Sequence, residues 1–377
     1  MVHRDHFAPH SSRRFEGYYT RILTEDGGTI AIIFCWVKGA KQRANLVLVL
    51  YERSSRADSE NASSMRKRGT SALSGHEVPS FKYEFFPEHF DISVGEYVRG
   101  EPQAFTITAP GIGSMKVAAK TIEYDICARN GALRLHLVLT KNTPWSPSHP
   151  LRGPMGPILA FSRLLPLNWH VRSTQSTASY TLTYGSPDDA TSATMHGTGR
   201  AHAEKNWGAS FPKGWIWAQT FSADGQHTLC IAGGTALPGV QAYLVGYRSP
   251  VCGQWDFRPP FALGVGPFAP FVRVRHDSKQ GEVEMRVSTG LRKLHVRIAA
   301  DPDTFVGIPA PLKNGHQPGF AHESFRASVR VEAFRRRWPW PWAKWERVEE
   351  VVLGRLEDGT ECGALEFGGA FSHEVDT

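Results

Sequence analysis

Nowhere in the 377 residues is there an apolar run of the length a membrane-crossing helix requires. The opening Met-Val-His-Arg-Asp-His carries charge but lacks the apolar stretch of a secretory signal, so a cytoplasmic setting is the expectation. Cysteine is scarce. Cys35, Cys127, Cys230, Cys252 and Cys362 are odd in number, scattered and never spaced C-x-x-C, a pattern that fits reduced thiols better than a disulfide framework. There is no G-x-S-x-G elbow, no H-E-x-x-H pair, no phosphate-cradling G-x-x-x-x-G-K and no dinucleotide fingerprint opening a helix. A protein that works without a cofactor is the simplest inference. No amphipathic helix of a dozen residues can be drawn. The net charge of +7 is moderate, and the local clusters Arg66-Lys-Arg68 and Arg335-Arg-Arg337 sit in no nucleic-acid module, so no nucleic-acid partner is expected.

What the chain does have is turns and short β-prone runs. Its 36 glycines and 25 prolines punctuate many Val/Ile/Thr/Phe-rich segments, which indicates an all-β antiparallel fold. Glu25-Asp-Gly-Gly28 and Arg129-Asn-Gly131 lie between alternating strands and predict hairpins. Residues 53–79 hold few large apolar groups and predict a mobile surface loop. The polar gap Gly185-Ser-Pro-Asp-Asp189 suggests a boundary between domains over 1–185 and 190–377. His3, His6 and His10 could bind a metal weakly, but a frayed terminus accounts better for residues 1–13.

The most informative stretch is Arg200–Gln219. Side chains alternate along a strand, so Glu204 and Asn206 share one face while Lys205 and Trp207 share the other. Trp215, Trp217 and Gln219 likewise fall on one face. Gly208, Pro212 and Gly214 supply a chain reversal, and the expectation is a hairpin of strands 200–207 and 215–222. Three indoles beside a few charged groups would make an apolar pocket with fixed polar contacts. The plain alternative is an exposed Glu-Lys pair on a sheet whose other face packs tryptophan.

Ala203-Glu-Lys-Asn-Trp-Gly208, then Phe211-Pro212 and Trp215-Ile-Trp-Ala-Gln219, resembles the signature of the tocopherol cyclase family. Phe15-Glu-Gly-Tyr-Tyr19, Met155-Gly-Pro157, His170-Val-Arg-Ser173, Glu323-Ser-Phe325 and Ala364-Leu-Glu-Phe-Gly-Gly369 match its other blocks in order. The chain departs from the pattern at Thr20-Arg21 and where it stops soon after Gly369. The resemblance implies two tandem lipocalin-like antiparallel β-barrels around an elongated hydrophobic small molecule. It also implies ring closure without a redox cofactor, on a polyene, prenylated phenol or quinone-methide-like compound.

On that reading Glu204 is the candidate general acid, since desolvation beside indoles favours a carboxyl's protonated form. If the reaction is a cycloaddition instead, Lys205, Asn206 or Gln219 would hydrogen-bond a substrate carbonyl and confinement would do the rest. Trp207, Trp215 and Trp217 are candidate substrate walls, and Tyr19, Glu16 and His170 follow from the matched blocks alone. Glu204 and Lys205 should point oppositely and not pair with each other. A buried Lys205 would need a carboxylate, and Glu16 is the one offered. The alternative reading is a non-catalytic carrier of a hydrophobic small molecule, because fold does not fix function. Arg335–Trp345 interleaves arginine, tryptophan and proline at a hairpin tip. A self-packed loop with indole–guanidinium stacking is favoured there by its shortness, and peripheral contact with a membrane–water interface is the other option.

Overall fold

The computed structural model of the chain describes residues 5–10, 12–54, 78–163, 165–185, 192–340 and 342–373. The first sheet comprises β1 (Phe15–Thr24), β2 (Thr29–Val37), β3 (Asn45–Glu52), β4 (Phe81–Phe85), β5 (Asp91–Val94), β6 (Phe105–Ala109), β7 (Gly113–Val117), β8 (Ile122–Ala128), β9 (Leu133–Thr143), β10 (Leu167–Tyr184) and β11 (Ala193–Gly208). The second comprises β12 (Gly214–Phe221), β13 (Thr228–Leu237), β14 (Val240–Ser249), β15 (Gly253–Phe257), β16 (Leu263–Val265), β17 (Val272–Asp277), β18 (Glu282–Ser288), β19 (Arg292–Ala300), β20 (Val306–Leu312), β21 (Gly315–Arg335), β22 (Glu346–Leu353) and β23 (Gly363–Gly369). The fold is all-β, with two curled antiparallel sheets consistent with tandem lipocalin-like barrels. The only helical elements among the described residues are short 3₁₀ turns.

Both sheets follow one plan. In the first the strand order is β4-β3-β2-β1-β11-β10-β9-β8-β7-β6-β5, so the opening strand pairs with the closing one. In the second the path runs β15-β14-β13-β12-β23-β21-β19-β18-β17, and again the first strand, β12, lies beside the last, β23. Each sheet wraps its own core. β8 and β9 show the simple case: Ile122, Tyr124, Ile126, Leu133, Leu135, Leu137 and Leu139 point inward, while Glu123, Asp125, Arg134 and His136 between them do not. Ile216, Ala218, Leu229, Ile231, Trp255, Val296 and Phe367 belong to the second core. β1, β11 and β12 differ. Their central residues are buried on both faces, which is where polar groups withheld from water can gather.

Four expectations are corrected. β11 and β12 do not form a hairpin: β11 pairs with β1 and β10, and β12 with β13 and β23. Gly208, Pro212 and Gly214 do break the chain, but a strand already flanked on both sides has no free edge for its successor to return to. The division also falls elsewhere than 185–190. One compact unit takes residues 1–153, 169–209 and 311–316, and the other 154–168, 210–310 and 317–377. Of the proposed boundary, residues 186–189 lie outside the described residues, as do 55–77 of the proposed mobile loop.

The N-terminal stretch is not frayed over residues 5–10, where Asp5, Phe7 and Ala8 are buried and the last two join the first core. His3 is outside the described residues. Finally, two expected strands at 169–173 and 178–184 are one strand, β10, carrying an irregularity between Gln175 and Thr177. There Ser176 Oγ lies 2.8 Å from Asn142 Oδ1 and 2.7 Å from Ser173 Oγ, so the polar run that reads as a break is satisfied inside the sheet.

Candidate active site

The register of β1 against β11 sets the chemistry of the centre. Glu16 lies opposite Trp207, Tyr18 opposite Lys205, Tyr19 opposite Glu204 and Arg21 opposite His202. Alternation then separates two groups. Glu16, Tyr18, Lys205 and Trp207 face the core of the first unit, and Tyr19, Arg21, His202, Glu204 and Asn206 face the other way.

On the core side Lys205 is fully buried and ion-paired with Glu16. Its ammonium also donates to the carbonyls of Phe7 at 3.3 Å and Ala8 at 2.5 Å and lies 2.9 Å from His10 Nδ1. The rings of Tyr18 and Trp207 lie 5.0 and 5.2 Å away, within cation–π range. Glu16 accepts from the backbone amide of His10 through both oxygens, at 3.0 and 2.9 Å, and from the Tyr18 hydroxyl at 3.3 Å. Burial alone would raise the Glu16 carboxyl, but Lys205 and His10 beside it hold it below the ordinary carboxylate range. The Tyr18 phenol is pushed well up by burial and by Glu16.

The N-terminal segment closes this cluster. Asp5 accepts from the amides of Phe7 and Gln103, both at 2.9 Å, which pins the segment at its start. The His10 ring stacks on Trp207 with centroids 4.5 Å apart, and His6 stacks beside it. An ammonium with this many partners is an anchor for residues 7–10, and its hydrogens are spoken for. His170, on β10, is buried nearby, with its ring 6.3 Å from that of Phe7. Its Nδ1 has no hydrogen-bond partner among the described residues, and a Cβ on Gly153 would come within 2.5 Å of it. Burial, then the nearby His6, Lys205 and Arg172, pull the His170 pKa well below the ordinary imidazole value.

The second face holds a buried carboxyl–imidazole pair. Glu204 and His202 are both buried, and His202 Nε2 lies 2.8 Å from Glu204 Oε2. Directly across on β1 stand Tyr19, half-buried, and Arg21, buried with Nη2 3.5 Å from Thr29 Oγ1. Asn206 is half-buried on the same face, opposite Gly17. A carboxyl hydrogen-bonded to an imidazole, flanked by a phenol and a guanidinium, can hold a proton at a fixed place and return it there. Sequence reasoning nominated Glu204, Asn206 and Tyr19 but missed His202 and Arg21. The His202-x-Glu204 spacing, two residues on one strand face, is the signal that could have found the first of them.

The remaining nominees lie on β12 in the second unit, so the expected wall of three indoles on adjoining strands is not formed. Trp215, Trp217 and Gln219 share the face of β12 turned away from the core that Ile216 and Ala218 enter. Trp215 Nε1 donates to Glu366 Oε1, its ring meets Phe211 edge-on at 4.7 Å, and a Cβ on Gly368 would run into the indole. Trp217 is directly opposite Glu366, which is opposite the buried Glu323. Two carboxylates and two indoles thus share one sheet face. Glu323 and Glu366 fall inside matched sequence blocks, yet neither was nominated.

No family model matches the chain, and no curated protein does. Solved structures do resemble it. The crystal structure of CghA superposes with a TM-score of 0.54 at 11% identity, covering 96% of this chain and 89% of CghA. CghA with Sch210972 gives 0.53 at 11% identity over 95% and 88%. Kievitone hydratase from Nectria haematococca gives 0.53 at 8% identity over 98% of this chain and 93% of that one. At such identities the likeness establishes the fold.

Proposed function

We propose that the protein is an enzyme that closes a ring in a hydrophobic, unsaturated small molecule, using its own side chains and no redox cofactor. The observation that carries this reading is the buried Glu204–His202 pair with Tyr19 and Arg21 across the strand boundary. Glu204 is the proton donor. As the carboxyl protonates an alkene or a conjugated carbonyl, a hydroxyl of the substrate adds to the carbon made electron-poor. The hydroxyl proton returns to Glu204, so the product is an isomer of the substrate. His202 fixes the carboxyl's orientation, and Tyr19 stands where a phenol could hydrogen-bond a substrate oxygen. In the pericyclic version no proton moves, and the same groups polarise a carbonyl while confinement aligns the reacting carbons, an effect worth roughly 7–11 kcal/mol. The names of two proteins of like fold support a small-molecule substrate: one is a hydratase of kievitone, and the other was crystallised with Sch210972.

A carrier is supported less well, because the interior of the first unit is filled by Phe7, Tyr18, Phe105, Tyr124 and their neighbours. The test is to incubate the protein with metabolite extracts from cells lacking it, in H₂O and in D₂O, and to follow masses. Wild type is expected to convert an apolar precursor into an isomer, with Glu204→Gln slower by about 10²–10⁴-fold while still binding the precursor. Deuterium at a product carbon selects the proton-transfer route, and its absence selects the pericyclic one. A bound compound recovered unchanged by wild type and variant alike would identify a carrier.

A further inference from the structure

At one end of the second unit three hairpin turns lie together. The β21–β22 tip presents Trp338, Trp340 and Trp342, which are 55%, 54% and 78% exposed. The β18–β19 turn presents Leu291 at 46%, and the β14–β15 turn Val251 at 56%. The turns are tied to one another. Arg335 Nη2 donates to the Cys252 carbonyl at 3.2 Å, Arg336 Nε to the Gly290 carbonyl at 2.6 Å, and the Arg336 amide to the Leu291 carbonyl at 3.1 Å.

The tip is also held from within. Arg336 donates to the carbonyls of Trp340 at 2.8 Å and Pro339 at 3.1 Å, and its guanidinium stacks on Trp345 at 4.4 Å. Trp340 and Trp342 stack nearly parallel, 5.6 Å apart. A self-packed loop would turn its indoles inward. Here Trp345 packs under Lys293 and Arg336 and Trp338 lies under Arg337, yet Trp338, Trp340 and Trp342 stay more than half exposed on a scaffold that Arg336 ties together.

We infer that this end of the second unit is a docking surface for an anionic lipid bilayer, with Trp338, Trp340 and Trp342 entering the interfacial zone. Indoles favour that zone because the ring is apolar and its N–H is polar. The charge is complementary: the stretch 335–345 holds Arg335, Arg336, Arg337 and Lys344 and no acidic residue, and Arg292 is exposed beside it. A projecting tip suits a fluid surface into which it can sink. The inference is independent of the reaction proposed above, since it concerns where the protein sits.

The experiment is co-sedimentation of the full chain with vesicles of phosphatidylcholine alone and of phosphatidylcholine mixed with phosphatidylglycerol. Wild type is expected to prefer the anionic vesicles, with binding that weakens as salt rises. The triple variant Trp338→Ala, Trp340→Ala, Trp342→Ala is expected to lose about tenfold or more in affinity while melting as wild type does, because the three rings are exposed. The pair Arg337→Glu, Lys344→Glu should abolish the anionic preference and leave the weak binding to neutral vesicles. No sedimentation of wild type with either vesicle overturns the inference, as does undiminished binding by the triple variant. Capture of a folded protein through these indoles without vesicle binding overturns it too.

Discussion

Lys205 and Glu204 are chain neighbours with opposite fates, and strand alternation made that legible beforehand. It said they would not pair, and the carboxylate offered for a buried Lys205 was Glu16, its actual partner. What alternation could not supply was the third dimension. His10 and the carbonyls of Phe7 and Ala8 come from a polar-looking terminus, and nothing local links them to a lysine far along the chain. The pair makes a sharp prediction. Lys205→Met strands a buried carboxylate and is expected to cost about 3–5 kcal/mol in denaturant unfolding, whereas Glu16→Leu with Lys205→Met is expected to cost less than the single change. An additive cycle would show that the two do not act as a pair.

His170 gives a second prediction, with a sign. Its native pKa lies below the ordinary 6.5, so the unfolded chain takes up the proton first as pH falls. Its contribution is complete above pH 6.5 and declines below it, at up to about 1.4 kcal/mol per pH unit. Glu16, also depressed, adds to the loss only below its ordinary value of 4.5. Melting temperature against pH should therefore begin to fall near 6.5 in wild type. In His170→Gln the fall below 6.5 should be shallower and not absent, because burial also depresses His316, to about 4, and His276; an unchanged slope would show that His170 contributes nothing.

Among the elements, strands that alternate against water were the readable ones. The β1–β2 and β8–β9 hairpins lie where their turn residues put them. Elements buried on both faces were harder, because composition no longer marks an inside and an outside. β10 read as two strands because its polar run 174–177 looks like a break, and β21, at 21 residues, showed only its regular end in the sequence. The N-terminal segment was the clearest miss. With Phe7 and Ala8 the only buried apolar residues among its described ones, it is held also through polar contacts that no periodicity reveals. Removing residues 1–10 is expected to lower the melting temperature and to let water reach Trp207, read as a red shift in tryptophan emission. In hydrogen exchange the His10 amide, bonded to Glu16, should be among the slow ones of the first unit. Rapid exchange at His10 would mean that the stacking on Trp207 does not persist.

At the scale of the whole molecule, composition sufficed for an all-β chain, while the dividing line was misplaced because turn-rich residues mark gaps in pattern and not changes of sheet. The chain passes between units at 153/154, 168/169, 209/210, 310/311 and 316/317. A polypeptide ending at Ala209 lacks Pro311–His316, whose His316 Nδ1 meets the Arg43 carbonyl at 2.7 Å. It is expected to give a broad, poorly cooperative melt where the full chain melts sharply. The pairing of each sheet's first strand with its last also governs how the protein is born. β1 leaves the ribosome long before β11, and at about 5–20 residues per second it waits on the order of 10–40 s for the partner that completes its ladder. For that interval a nascent edge rich in Ile, Tyr and Phe is bare, so the newborn chain is expected to be more prone to edge-to-edge association than its finished form would suggest.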